Sequence, residues 1–506
     1  MLSVFDRGAL PPCPKNFNLA QYVLQHADDT PDKIALEVHG LSGSTQWTYV
    51  QLKCAVLGTG NGLLSCGLKP GQRVLMRLGN TVDFPIAYLG AIAVGLVPIP
   101  TSSQLTGNEV EKILATTEPD AVLVDPNVDC PNDLDCKYIS TDDLRNFRNL
   151  PSVDFHLGDP NRLAYILFTS GTSGDQRPVA HAHRAIWARQ MMWDDWYGIS
   201  TNDRLLHAGA FNWSFTLGTG LLDPWSVGAT SLVLDEGTAS LALPELLKRH
   251  EVSIFAAAPG VYRKMLSSGE KLDLTHLRHG LCAGEKLSEN IRERWQQSTG
   301  LHLHEALGMS ECSTFISASP INPMTNRLGT PQTGRRVAII GDSGPLPIGQ
   351  VGQIAVSNRD PGLMLGYLNA PEETKAKFKG EWFLTGDLGI MHEDCSISYH
   401  ARADDMMNAG GFRVSPLEVE TVLQTHPDIL EIAVRDVEIK EDVRIIAAFY
   451  TSREPIAKDV LQVFVADKLA RYKQPRIYQR VDALPRGANN KLQRKKLVLD
   501  AKTNET

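Results

Sequence analysis

From Thr169 to Arg177 the chain reads TSGTSGDQR, which puts four hydroxyls, two glycines and a guanidinium into nine residues. Hydroxyl and backbone N–H donors on a glycine-permitted bend, closed by a permanent cation, suit the oxygens of a phosphate. The same composition also serves an ordinary polar turn after a strand. Neither the Walker spacing nor the dinucleotide fingerprint is present. Upstream, Leu163 to Phe168 (LAYILF) has the length and apolar character of a buried strand, so a sheet strand delivers the loop.

Other segments carry chemistry too. Leu205 to Ala229 concentrates His207, Phe211, Trp213 and Phe215 among glycines, with Asn212 as a lone amide. Aromatics of this kind either fill a core or line an apolar pocket. Leu281 to Lys286 (LCAGEK) reads as a strand running into a tight turn, where Gly284 lets a ligand approach the backbone. In Leu301 to Glu311 (LHLHEALGMSE), His302 and His304 share one face of a strand, but no third ligand stands near and no zinc site is expected. Trp382 to Leu388 (WFLTGDL) supplies Asp387, ordinarily a turn residue after Gly. His400 to Glu420 contains Gly410 and Gly411, then a helix opened by Ser-Pro. Leu484 to Arg494 (LPRGANNKLQR) is basic, a composition that often marks a solvated face.

Taken in this order, the segments resemble the adenylate-forming superfamily of acyl-CoA synthetases, adenylation domains and luciferases. The aromatic piece is similar to that of the aryl, benzoate-type acid:CoA ligases. The resemblance runs from about Phe17 to Arg494. It implies an ATP-dependent acid:CoA ligase that makes an acyl-adenylate and then a thioester, on an aromatic or compact acid, with ATP, Mg²⁺ and coenzyme A taking part. A stand-alone adenylation enzyme loading a carrier protein, a short- or medium-chain acyl-CoA synthetase and a catalytically silent homologue are the rival readings.

The resemblance also assigns residues. Thr169, Ser170, Gly171, Thr172, Ser173 and Gly174 grip the triphosphate, with Arg177 as an auxiliary contact. Ala283, Gly284 and Glu285 lie beside adenine, and Leu307, Gly308, Met309 and Ser310 continue the nucleotide site. Glu311 holds Mg²⁺, a hard cation that prefers oxygen ligands. Asp387 and Arg402 contact the ribose. The acid is surrounded by His207, Phe211, Asn212, Trp213, Ser214, Phe215, Ala283, Gly308 and Phe315. Asp404 is the hinge, and Gly410, Gly411 and Phe412 belong to the CoA tunnel. Lys491 bridges carboxylate and α-phosphate and, with Glu311, is catalytic. The sequence departs from the family pattern at four places: Gln176-Arg177-Pro178 replaces Pro-Lys-Gly, Leu307 replaces an aromatic, Ser310 a threonine, and Asn490 a glycine.

A chain of 506 residues exceeds one ordinary core. Alternating helical and strand-like runs before Pro160 predict an α/β architecture with a largely parallel sheet. The Gly- and Pro-rich stretch from Gly329 to Tyr367 predicts a small barrel-like β subdomain. The expected division is an N-terminal AMP-binding domain, 1–402, for ATP and acid, and a mobile C-terminal α+β lid, 403–506. A net charge of -8 without a basic arm argues against nucleic acid. Eight scattered cysteines suit a reducing cytoplasm. The longest apolar tract, Phe84 to Pro100, is broken by prolines, so no membrane insertion is expected and the tract reads as a buried helix entering a strand. A homodimer is compatible with this reading.

Overall fold

A computed structural model describes residues 1–499 apart from 41–42, 132–135, 170–176, 235–241, 270, 404, 410–411, 441–442 and 488–491. The chain divides into two compact units. One comprises Phe5–Arg336 with Val356–Phe383, the other Met1–Val4, Val337–Ala355 and Leu384–Thr506.

The larger unit is built on a nine-stranded sheet. Its central strands, Arg204–His207, Thr230–Leu234, Ile254–Ala257, His279–Ala283 and Leu303–Met309, are short apolar runs that pair in parallel. Helices such as Pro259–Met265 and Glu289–Thr299 supply the crossovers that parallel pairing needs. A second, four-stranded sheet is parallel throughout, in the order Val97–Pro100, Arg73–Arg77, Ala121–Val124, Lys137–Ser140. The tract read as helix into strand is the fully buried helix Asp83–Ala93 followed by Val97–Pro100. Gly95 sits between them at φ 81°, a left-handed turn that a side chain would strain.

A third, antiparallel sheet carries the phosphate segment. Leu163–Thr169 pairs with Arg177–Ala182, which pairs with Gly366–Tyr367. Its register sets Thr169 opposite Arg177, so the two ends of TSGTSGDQR are neighbours.

One expected element is broken. The run from Ala185 to Trp196 reads as a single helix, whereas the structure holds a short helix, Ala185–Ala188, and a π-helical turn, Trp193–Tyr197. Met191, Met192, Trp196 and Tyr197 are all buried. In a π-turn residues five apart share a face, so Met191 with Trp196 and Met192 with Tyr197 can turn to the core together.

In the smaller unit, Glu431–Lys440 and Val443–Thr451 pair antiparallel and Ile477–Arg480 joins in parallel. Alternation along these strands gives each face its own core. Val434, Ile446 and Ala448 pack with Val419, Leu423, Leu461 and Val465 of the helices Pro416–Gln424 and Lys458–Ala466. Ala433, Ala447 and Phe449 pack with Leu484 and Leu497 from the C-terminal run. From Leu384 on, the strand Trp382–Met391 belongs to the same unit, and there it pairs with Ile397–Arg402 in a register that sets Asp387 opposite Arg402. The architecture is α/β, with a large N-terminal part and a small C-terminal one. Among the described residues no helix is long and apolar enough to cross a membrane.

Candidate active site

Within the larger unit the site forms at the ends of strands. Leu303–Met309 turns back into Ser313–Ser317 with a register shift between Leu307 and Gly308. The turn carries Ser310 and Glu311, and Ser313 takes a positive φ of 68°. A side chain at Gly308 would place its Cβ 2.7 Å from Thr314 Cγ2, so only glycine fits the shifted register.

Glu311 has a partner that sequence reasoning did not supply. Tyr367 Oη donates to Glu311 Oε1 at 2.7 Å. Burial, and then the charge of Glu311, push the Tyr367 phenol well up, so it stays protonated as a donor. The Arg177 guanidinium lies 5.6 Å from the Tyr367 ring centroid, and its Nε is 3.1 Å from Glu373 Oε2. Arg177 and Glu373 are about half exposed, at 41% and 55%, so their pairing is weak and open to competition. A carboxylate offers about four lone-pair directions, of which Tyr367 takes one, and Glu311 therefore keeps the oxygen chemistry a Mg²⁺ ion needs.

The aromatic segment is drawn together around Phe215. His207 and Trp213 meet it edge-on, at centroid distances of 4.3 and 5.1 Å, and Trp196 stacks at 5.7 Å. His207, on the strand Arg204–His207, is neutral, its pKa lowered to about 3 by burial. The Trp213 ring rests on Gly284, where φ is 94° and any Cβ would lie 2.6 Å from the indole. Residues assigned to acid and to adenine therefore touch. Phe211 is placed differently: its ring packs on Phe84 at 5.6 Å, and its N–H donates to Asn80 Oδ1 at 2.8 Å. Asn212 lines a small cavity there, and Phe315 is fully buried in the strand Ser313–Ser317.

Behind the aromatic segment lies a charged pair that the sequence did not announce. Arg189 bonds Asp223 through Nε at 2.8 Å and Nη2 at 2.6 Å, and Tyr197 Oη donates to the same carboxylate at 2.7 Å. Burial opposes the charge on Arg189, and Asp223 more than restores it, raising the guanidinium pKa. Nearby, His181 Nε2 lies 2.7 Å from the Ser310 carbonyl oxygen. The only signal for these residues was their type, since 34 positions separate Arg189 from Asp223.

In the smaller unit, Asp387 Oδ1 is approached by Arg402 Nη1 at 3.4 Å and by Tyr399 Oη at 3.3 Å, both long contacts. Thr385 Oγ1 accepts the Asp387 N–H at 3.0 Å and fixes the turn that presents the carboxylate. Further on, Arg486 bridges to Leu492, and Arg494 grips Glu420 at 2.7 Å, so both sides of the segment around Lys491 are anchored. Lys491, Asn490, Asp404, Gly410, Gly411, Ser170, Gly171, Thr172, Ser173, Gly174 and Gln176 lie outside the described residues. Phe412 begins the strand Phe412–Val414, opposite Ala409. His302 and His304 have ring centroids 6.4 Å apart, and His304 is held neutral, its pKa lowered to about 3 by burial.

The AMP-binding enzyme family matches residues 23–368, the greater part of the chain, and the AMP-binding enzyme C-terminal domain matches 418–491. This chain belongs to the AMP-binding enzyme family. Among similar members of the AMP-binding enzyme family is a benzoate–CoA ligase of Thauera aromatica, 30% identical, with 98% of this chain and 99% of that protein covered. The mitochondrial acyl-coenzyme A synthetase ACSM2A of Homo sapiens is 29% identical, covering 96% of this chain and 91% of that one. The fold is shared with the anthranilate CoA ligase AuaEII in complex with anthranoyl-AMP, at a TM-score of 0.84 and 25% identity, covering 96% of this chain and 97% of that one.

Proposed function

We propose that this AMP-binding enzyme is an ATP-dependent acid:CoA ligase acting on an aromatic or compact cyclic or short acid, releasing AMP and pyrophosphate. The observation that carries the choice of acid is the apolar cluster of Trp213, Phe215 and Trp196 with neutral His207, in which Trp213 rests on Gly284. A planar ring would stack on such a cluster, whereas a long flexible chain would be crowded by it.

A carboxylate resists attack by a thiol because its charge is delocalised and its leaving group is poor. Joining it to AMP removes both obstacles. Two anions must then meet, and cations are needed where charge accumulates. Lys491 is assigned to the attacking oxygen, the hydroxyls of Thr169 to Ser173 and Arg177 to the β- and γ-phosphates, and Asp387 and Arg402 to the ribose. Glu311, oriented by Tyr367, would hold Mg²⁺, which supplies charge neutralisation on the phosphates. This step needs no protein nucleophile, and positioning does much of the work. For the thiol step, rotation of a lid (403–506) about Asp404 withdraws Lys491 and brings Gly410 and Gly411 to the pantetheine. The AMP-binding domain is then 1–402. The cysteines, all free, fit a reducing cytoplasm, and a homodimer is compatible with this function.

The test is CoA-dependent AMP release over benzoates, cyclic acids and straight-chain acids. Expected is ATP-dependent thioester formation favouring the aromatic acids. Acid-dependent pyrophosphate exchange without thioester until a phosphopantetheinylated carrier protein is added would replace CoA as acceptor. Absence of pyrophosphate exchange with every acid of the panel would reduce the chain to a nucleotide-binding homologue.

A further inference from the structure

The larger unit encloses a cavity of about 30 Å³ that the steps above leave unused. Ser214 of the aromatic segment and Ser310 of the hairpin line it, together with Tyr88, Tyr165, His181 and Arg189. It thus borders residues assigned to the acid on one side and to the nucleotide on the other.

Two buried polar atoms of its lining residues have no hydrogen-bond partner among the described residues: Tyr88 Oη and His181 Nδ1. Buried polar groups are almost always paired, so each such exception asks for a partner. What partner follows from the protons. His181 Nε2 donates to the Ser310 carbonyl, which leaves Nδ1 as an acceptor. Burial keeps the imidazole neutral, its pKa lowered to about 4, and burial also keeps the Tyr88 phenol protonated as a donor. Tyr165 stacks on His181 at 4.9 Å and packs against Tyr88 at 6.0 Å, so the three rings form one wall. Arg189 does not add net charge, because Asp223 holds it in two hydrogen bonds. A second carboxylate placed here would be buried without a counter-charge, and an unsubstituted ring would leave one donor and one acceptor unpaired. A hydroxyl, which donates and accepts, answers both.

We propose that this cavity receives a hydroxyl carried by the ring of the acid, making the substrate class a hydroxy-substituted aromatic acid. The hydroxyl donates to His181 Nδ1 and accepts from Tyr88 Oη. An amino group, whose lone pair is delocalised into the ring, satisfies His181 alone and ranks second. The proposal rests on the acid:CoA ligase reading.

The experiment measures kcat/KM for benzoate, the three monohydroxybenzoates, the aminobenzoates and a benzenedicarboxylate, in the wild type and in Tyr88→Phe, by CoA-dependent AMP release. Expected is a preference of at least about tenfold for one hydroxybenzoate over benzoate, and rejection of the dicarboxylate. Tyr88→Phe is expected to cut that preference about tenfold while leaving benzoate turnover within about twofold. Equal use of benzoate and all its hydroxylated forms overturns the proposal and leaves the ligase intact. A preference undiminished in Tyr88→Phe, or a uniform loss on every acid, also overturns it. Absence of CoA-dependent AMP release with acids of every class removes the ligase reading itself.

Discussion

At the scale of single residues, Arg177 shows how a side chain can be shared between resting and working partners. Its guanidinium stands over Tyr367 and beside Glu373, yet the ion pair is half exposed and worth on the order of 0–1 kcal/mol. Phosphate oxygens, more highly charged, compete for it with advantage. Arg177→Ala is therefore expected to raise the KM for ATP by about threefold to tenfold with kcat little changed. An unchanged KM would leave Arg177 a surface residue. Lys491 carries a stronger expectation: Lys491→Ala should lower acyl-AMP formation by about a hundredfold or more while thioester formation from supplied acyl-AMP persists. Equal loss of both half-reactions would remove its role. Glu311, Asp387 and Lys491 were proposed from the sequence through the motifs that resemble the family, not through their residue types alone. Tyr367 and Tyr399 were not, because a tyrosine becomes a partner only when folding brings its hydroxyl to a carboxylate 56 or 12 positions away.

At the scale of elements, the strands around the site lie where apolar runs placed them, and the broken helix after Ala185 does not. Its interior is held by Arg189 and Asp223, both largely withdrawn from water. Removing one member of a buried pair strands the other, so Arg189→Ala should cost about 3–5 kcal/mol in unfolding free energy, measured by denaturant titration. The double change Arg189→Met with Asp223→Leu should recover most of it, and additive losses would refute the pairing argument. Element boundaries also govern the two half-reactions. Asp404→Pro fixes φ at the expected hinge and should spare adenylation while abolishing thioester formation. Normal overall turnover in that variant would move the hinge elsewhere.

At the scale of the molecule, buried histidines set the response to acid. His181, His183, His207, His279 and His304 have pKa values lowered to about 3 or 4, in each case first by burial. In the unfolded chain they titrate near 6.5. Above that pH neither state takes up the proton and stability is unaffected. Below it the unfolded chain binds protons that the folded one refuses, at about 1.4 kcal/mol per pH unit for each histidine, until the folded values are reached. Thermal melting should fall by several degrees from pH 7.5 to pH 5, before the carboxylates titrate. A melting temperature flat across that range would show that these imidazoles are protonated or paired in the native state.

The sequence by itself determined the adenylate-forming character of the chain, its α/β class and the order of its functional segments. These rest on local properties: runs of apolar residues, glycines at turns, and short motifs whose members are neighbours along the chain. Tertiary structure alone decided which side chains share a space. It set Trp213 on Gly284, Tyr367 on Glu311 and Asp223 on Arg189, and gathered Tyr88 and His181 around one cavity. Such pairings join positions dozens of residues apart. No local pattern encodes them, because their favourable energy exists only after folding has excluded water and brought the partners within a few ångströms.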